Sequence, residues 1–433
     1  MAAPGKRAIL SWALYDWANS AFATTVMAGF FPLFFKQFWN AGVDPVVSTA
    51  RLGFGSALAG VVIAGLAPVL GAIADRGAAK KRFLVIFALI GIAATASLAL
   101  VPKGFWLPAL SLYTLALIGF SGGNVFYDAL LPGVAPESRL HFVSALGFSL
   151  GYLGGGVLFA LNVLMAVKPA LFGFSSASEA VRVSFLTVGI WWLLFALPLM
   201  LFVRERSIGG KAAGFAMVRA GLDQLRAVFS EIRERRMIFL FLLAYWFYID
   251  GVDTIIRMAV DYGLSIGFEA NDLILALLIT QFTGFPCALL FGWLGQKIGA
   301  KRAILIAIGV YLFISLWGSL IREKHEFYLL AAVVGFVQGG IQSLSRSFYA
   351  RLIPEGKAGE YFGFYNMLGK FAVIMGPLLI GAVQIGLRSF GISGTVVSRL
   401  GITSLALLFL AGGTLLFFVR EDGSSGASAA ASN

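Results

Sequence analysis

Charge is scarce in this chain: 12% of its 433 residues are Asp, Glu, Lys or Arg, where a soluble domain carries about 25%. Cysteine is scarcer still. Cys287 stands alone inside an apolar run, so neither an internal disulfide nor a cysteine-based metal site can be built. The two histidines, His141 and His325, lie at the edges of apolar segments without zinc-site spacing. No Gly-x-x-x-x-Gly-Lys-Ser/Thr loop is present, which argues against pumping driven directly by ATP. No metal cluster or nucleophile–base pair marks an enzyme, so neither enzymatic activity nor a cofactor is expected.

What the chain has is 59% hydrophobic residues, with 40 Phe, 52 Gly and 9 Trp. Aromatic and small residues in this mixture suit packing against lipid and neighbouring helices. The formal net charge of +12 is scattered through short connections and forms no patch, so it signals topology and not nucleic-acid binding.

A membrane span needs about 20 mostly apolar residues. Candidates fall near 10–34, 54–74, 83–101, 107–130, 141–167 and 184–203, and again near 237–260, 272–292, 303–321, 327–350, 361–387 and 400–419. Lys6 and Arg7 suit a secretory leader, but Asp16 and Asn19 interrupt its core and the apolar run continues past Phe35; a first membrane helix is expected instead. With both termini cytoplasmic, 22 of the 33 Lys and Arg residues lie on the inner side, the bias expected of a multi-pass protein. The expected architecture is all-α and membrane-integral: six helices in 1–203, a cytoplasmic linker 204–236, six helices in 237–420 and a disordered tail 421–433. The linker's Glu231-Ile-Arg-Glu-Arg-Arg236 run reads as a solvated surface helix, with a docking site for a partner as the alternative.

The halves repeat. Phe126-Tyr-Asp-Ala-Leu-Leu-Pro132 aligns with Phe348-Tyr-Ala-Arg-Leu-Ile-Pro354 at an offset of 222, which also pairs Gly147 with Gly369 and Gly154 with Gly376. Gly71 to Arg82 matches Gly292 to Arg302 at an offset of 221. Parallel repeats of this kind can rock about a site between them. Gly71, Asp75 and Arg76, with the weaker copy at Gln296 and Lys297, form a candidate conformational latch; the alternative is a basic turn that sets topology. Gln296 replaces Asp75 in the copy, so the two halves cannot latch identically.

These features resemble the major facilitator superfamily, whose signature after its second helix is similar to Gly71–Arg82. Ser11-Trp-Ala-Leu-Tyr-Asp-Trp-Ala-Asn-Ser-Ala-Phe22, the segment from Phe126 and the segment Gly339-Gly-Ile-Gln-Ser-Leu-Ser-Arg346 more closely resemble its Atg22-like, vacuole effluxer branch. The resemblance covers nearly all of 8–420. It implies a secondary transporter, two six-helix bundles, and, loosely, amino acids as substrate. Short loops and compact length resemble bacterial members, implying a bacterial inner membrane.

Polar residues inside spans are costly and face protein or water, which makes them site candidates. Asp16 and Asn19 share a face of helix 1, beside Tyr15; Asn124 and Asp128 are one turn apart on helix 4. Helix 7 carries Asp250, Asp253 and Arg257, the last two with the spacing of an ion pair. Gln281 lies on helix 8; Gln338, Gln342 and Arg346 form a stripe on helix 10; Tyr365, Asn366 and Lys370 lie on helix 11. A carboxylate that alternates between protonation states can carry a proton, with Asp250 the first choice, then Asp16 and Asp128; structural pairing or capping is the alternative for each. Arg346 or Lys370 can attract a substrate carboxylate, or Arg346 can anchor at the headgroups. The D-x-x-N of helix 1 matches the D-x-x-D of helix 7, though their depths disagree. The expected activity is alternating-access transport of a small polar solute, coupled to protons, by a monomer. A proton-independent facilitator and a non-transporting sensor or scaffold are the alternatives.

Overall fold

The computed structural model describes residues 5–205, 230–392 and 395–420. Most of the expected linker, the tail 421–433 and the side chains of Arg76 and Lys370 lie outside the described residues. The chain is nearly all helix. The first half comprises α1 (Lys6–Trp39), α2 (Pro45–Gly77), α3 (Lys80–Ser97), α4 (Trp106–Val134), α5 (Leu140–Val167) and α6 (Ala177–Phe202). The second comprises α7 (Arg236–Ser265), α8 (Ala270–Ile298), α9 (Ala300–Gly318), α10 (Lys324–Leu352), α11 (Ala358–Ser389) and α12 (Val396–Phe418).

Among the described residues, 11 helices are long and apolar enough to cross a membrane. The twelfth, α11, coincides with the expected span 361–387 but carries Glu360, Lys370 and Arg388. Most helices overrun their expected spans. Charged residues such as Lys6 and Lys80 continue the helix into the headgroup region, where apolarity no longer marks it. Large apolar side chains, among them Ile86, Ile190, Leu201, Phe313, Leu378 and Ile385, are exposed on the outer surface. In water so extensive a belt would drive association; against acyl chains it is the stable surface.

Prolines lie inside six helices, at Pro32, Pro68, Pro132, Pro198, Pro286 and Pro377, as lipid-embedded bundles tolerate where neighbours re-satisfy the freed backbone groups. The second part of α1 widens into π-helical turns over Phe22–Phe30 and Phe35–Trp39, and Phe31 stacks on Tyr113 of α4 with ring centroids 3.8 Å apart. Two helices of the second half start with reciprocal capping boxes, Glu269–Asp272 on α8 and Glu323–Glu326 on α10, which satisfy N–H groups that a helix start otherwise leaves open.

The described end of the linker is tied to the second half. Glu231 pairs with Lys357 Nζ at 2.6 Å and with Arg235 at 3.1 Å. Partial burial pushes the Glu231 carboxyl up, but Lys357 and Arg235 outweigh it and hold it below its ordinary range. A depressed carboxylate contributes above its unfolded pKa and loses that contribution as pH falls through the folded one. Hydrogen exchange at the start of α11 is therefore expected to rise below about pH 4.

The halves meet along two helix pairs, α2 against α11 and α5 against α8, with α10 also reaching α5. Both pairings are built on small residues. A Cβ at Gly71 would overlap the Gly359 carbonyl, and one at Gly363 would lie 2.8 Å from the Ala67 carbonyl oxygen. On the other pair, Gly284 faces the Tyr152 ring and Gly292 faces Ala145. Backbones approach this closely only where no side chain intervenes.

Candidate functional site: a polar seam between the halves

The seam begins at the end of the molecule that holds the basic turns. The Asp75 carboxylate accepts the backbone N–H groups of Gly359 at 2.9 Å and Glu360 at 2.8 Å and pairs with Lys80 at 2.6 Å. Those N–H groups belong to the first turn of α11, which has no intrahelical partner for them, and the helix dipole favours an anion there. Asp75 thus caps a helix of the opposite half. Its repeat mate Gln296 reaches the equivalent place, the entry to α5, but donates to the Ser138 carbonyl at 3.4 Å. The polarity is reversed, because a side-chain amide next to a carbonyl must donate. Lys297 instead lies 4.5 Å over the ring of Trp293 on its own helix.

His141, set aside in the sequence for its position at a segment edge, is buried here. Its Nδ1 lies 2.8 Å from Ser347 Oγ and its Nε2 3.4 Å from Arg351 Nη1, both across the seam. Beside it, a crevice of about 580 Å³ lies between Glu137, Gln296 and Arg351.

One layer deeper sits Arg346, 3% exposed. Its Nη1 donates to Asp128 Oδ1 at 3.1 Å and lies 3.5 Å from Asp16 Oδ2; Nε donates to Ser144 Oγ at 2.9 Å and Nη2 to the Ser144 carbonyl at 2.8 Å. The rings of Trp12, Tyr127 and Phe148 lie 4.9, 5.3 and 4.4 Å from its guanidinium carbon. The guanidinium of the second half is thus held by α1, α4 and α5 of the first. This corrects the expectation of a headgroup anchor: a side chain so enclosed cannot reach the interface with water. In this closed arrangement Nε, Nη1 and Nη2 each contact protein groups of the first half.

The carboxylates are held in turn. Tyr127 donates its hydroxyl to Asp16 Oδ2 at 2.8 Å, Asn366 of α11 donates to Asp128 Oδ2 at 3.1 Å, and Asn19 donates to Asn124 Oδ1 at 2.6 Å. Tyr15 packs against Tyr127 with ring centroids 5.1 Å apart, and Tyr365 stacks on Tyr245 at 4.2 Å. Seven expected residues, Tyr15, Asp16, Asn19, Asn124, Asp128, Arg346 and Asn366, therefore converge on one buried cluster. Lys370 lies outside the described side chains.

Further from the basic end, the seam carries amide and hydroxyl groups. Tyr152 of α5 donates to Gln342 Oε1 at 3.5 Å, beside Gln338, whose buried Oε1 has no partner among the described residues. Gln281 of α8 donates to Thr24 of α1. Tyr152 and Ser144 carried no motif. Ser144 nonetheless stands 222 residues before Asn366, so the repeat was a signal that could have found it.

Asp250 stands apart from the Arg346 cluster. Its Oδ1 accepts the Gly376 N–H at 2.8 Å and the Thr254 hydroxyl at 3.1 Å, and its Oδ2 accepts the Met375 N–H at 3.1 Å. Just before Pro377, this stretch of α11 is thus served by a carboxylate from α7, an arrangement of helix-cap type. Glycine contacts also settle the depth of the two D-x-x motifs. Asp16 meets Gly147 whereas Asp250 meets Gly376, and the repeat mate of Gly376 is Gly154, two turns beyond Gly147. The motifs match in letters and not in place. Asp253 lies on α7 within electrostatic range of Tyr152 and Tyr311, and Arg257 is exposed. Asp250→Ala, which leaves two backbone N–H groups without their acceptor, is expected to lower stability by about 1–3 kcal/mol; thermal unfolding of the purified protein measures it, and Asp250→Asn should cost less.

A profile of the family described as "Vacuole effluxer Atg22 like" matches residues 46–427. The chain belongs to that family. It is 41% identical over 417 residues to the uncharacterized MFS-type transporter YxiO of Bacillus subtilis (strain 168), covering 96% of this chain and 95% of the relative. Among solved structures, the human organic anion transporter MFSD10 (TETRAN) superposes with a TM-score of 0.71 at 16% identity, over 95% of this chain and 99% of the other. The proton:xylose symporter XylE superposes with a TM-score of 0.69 at 14% identity, over 96% and 94%. The fold is the twelve-helix major facilitator fold, and the protein is a multi-pass membrane protein of a transporter family, not an enzyme.

Proposed function

We propose that this family member moves a small polar solute by alternating access, coupled to protons. The membrane is the bacterial plasma membrane, the basic end and both termini are cytoplasmic, and the working unit is a monomer. The observation that carries the reading is the seam at the basic end. Asp75 holds two N–H groups of α11 while Gly71 packs on Gly359, and the repeat mates Gln296 and Gly292 meet α5. These are short, polar or small-residue contacts between two similar bundles, of a kind that can part and re-form as units. Tyr152, Gln281, Gln338 and Gln342 supply hydrogen-bonding groups for a solute along the path beyond. Amino acids are the substrate class to test first, on the family resemblance.

The test uses purified protein in sealed liposomes loaded with unlabelled amino acids, with entry of labelled ones followed with and without a pH gradient. Protein-dependent counterflow that responds to the gradient is the expected result. Counterflow indifferent to pH would make the protein a facilitator. Ligand binding without counterflow would make it a sensor, and absence of flux for every amino acid would send the substrate search to other small metabolites.

A further inference from the structure

We infer that Asp16 is the carboxylate that takes up the coupling proton, and that Arg346 is the cation whose hold on Asp16 keeps the cytoplasmic side closed. The inference rests on the transport reading above and assigns its coupling site.

Three features of the geometry separate Asp16 from the other buried acids. Asp250 is bound by two backbone N–H groups and a hydroxyl within its own half, so parting the halves changes none of its partners. Asp128 is tied to the second half by two hydrogen bonds, one from Arg346 and one from Asn366. Asp16 is divided between the halves. Its Tyr127 donor belongs to its own half and stays with it, while among the described residues it is tied to the other half by the ion contact to Arg346 at 3.5 Å.

When the cytoplasmic side opens, Arg346 must leave with α10. Asp16 then loses its cationic partner and keeps a single hydroxyl, in a site walled by Trp12 and Tyr127. A carboxylate in such surroundings is better satisfied protonated, and the Tyr127 hydroxyl can still donate to its carbonyl oxygen. In the closed state the same carboxylate lies 3.5 Å from the guanidinium, a cation that favours its charged form. The protonation of one group thus differs between the two ends of the cycle, which is what coupling requires. The titratable and charged groups that face Asp16 are Arg346 from α10, Asp128 and Tyr127 from α4, Tyr152 from α5 and its neighbour Tyr15.

Spin labels at Arg139→Cys and Arg302→Cys, exposed positions on cytoplasmic turns of opposite halves, in a Cys287→Ser background, report the opening as a distance. Lowering the pH from 8 to 5.5 is expected to shift population from the short to the long distance at least threefold. Asp16→Asn is expected to abolish that pH dependence, whereas Asp250→Asn retains it. A pH response undiminished in folded Asp16→Asn, or none in the parent protein, overturns the assignment. Should Asp16→Asn not fold, Tyr127→Phe decides: a displaced pH midpoint supports the proposal and an unchanged one overturns it. Counterflow measured on the same samples separates the two levels. Loss of pH response with counterflow intact speaks to Asp16 alone, whereas absence of counterflow in the parent protein speaks against the transport reading.

Discussion

Arg346→Ala is expected to destabilise the protein by about 3–5 kcal/mol, the cost of leaving a buried charge without its partner. The guanidinium is enclosed by residues of the opposite half, and its removal strands Asp16 and Asp128. It also withdraws donors from Ser144 Oγ and the Ser144 carbonyl. Arg346→Lys keeps the charge but not the fork that serves Nε, Nη1 and Nη2 separately, so it should recover part of the loss. Thermal unfolding in detergent reads the ranking: parent, then lysine, then alanine. Equal stability of parent and alanine variant would show that the carboxylates do not depend on this cation.

Gly71→Val is expected to reduce transport at least tenfold and to lower stability by about 1–3 kcal/mol, the range for forcing extra methyl groups into a packed contact. A single Cβ at this position already overlaps the Gly359 carbonyl, and the obstruction is backbone, which cannot rotate away. Closing α2 on α11 would then be blocked. Asp75 would lose its reach to the Gly359 and Glu360 N–H groups with it. Asp75→Asn isolates the second effect: one amide oxygen replaces two carboxylate oxygens on two donors, so a smaller loss is expected. Flux assays on both variants, with cysteine accessibility on the cytoplasmic side, distinguish a gate that cannot close from a protein that does not fold.

The helices were largely legible because hydrocarbon thickness dictates a run of apolar residues that few other structures need. α11 carries Glu360, Lys370 and Arg388, which dilute its apolarity. At the candidate latch, Gly71 and Asp75 stand out because the glycine and its spacing to a polar residue recur in the second half as Gly292 and Gln296, where the acid is replaced by an amide. The meeting of Arg346 with Asp128, 218 residues away, was not legible. Helix periodicity places each on a face and a depth but does not say which face of the other half it meets. The D-x-x-N and D-x-x-D motifs invite equivalence, yet their glycine contacts place them two turns apart. His141 lay at a predicted span edge and so went unweighted, although α5 carries it into the seam beside Ser347 and Arg351.

The central claim is that the cytoplasmic seam must open for solute to cross. Ser138→Cys and Gln296→Cys, in a Cys287→Ser background, place two thiols at exposed positions where the Gln296 amide now meets the Ser138 carbonyl at 3.4 Å across the seam. In liposomes, with the reduced form active, oxidation is expected to abolish counterflow and reduction to restore it. Counterflow that continues at the reduced protein's rate, with the disulfide shown to be fully formed, would contradict alternating access through this seam.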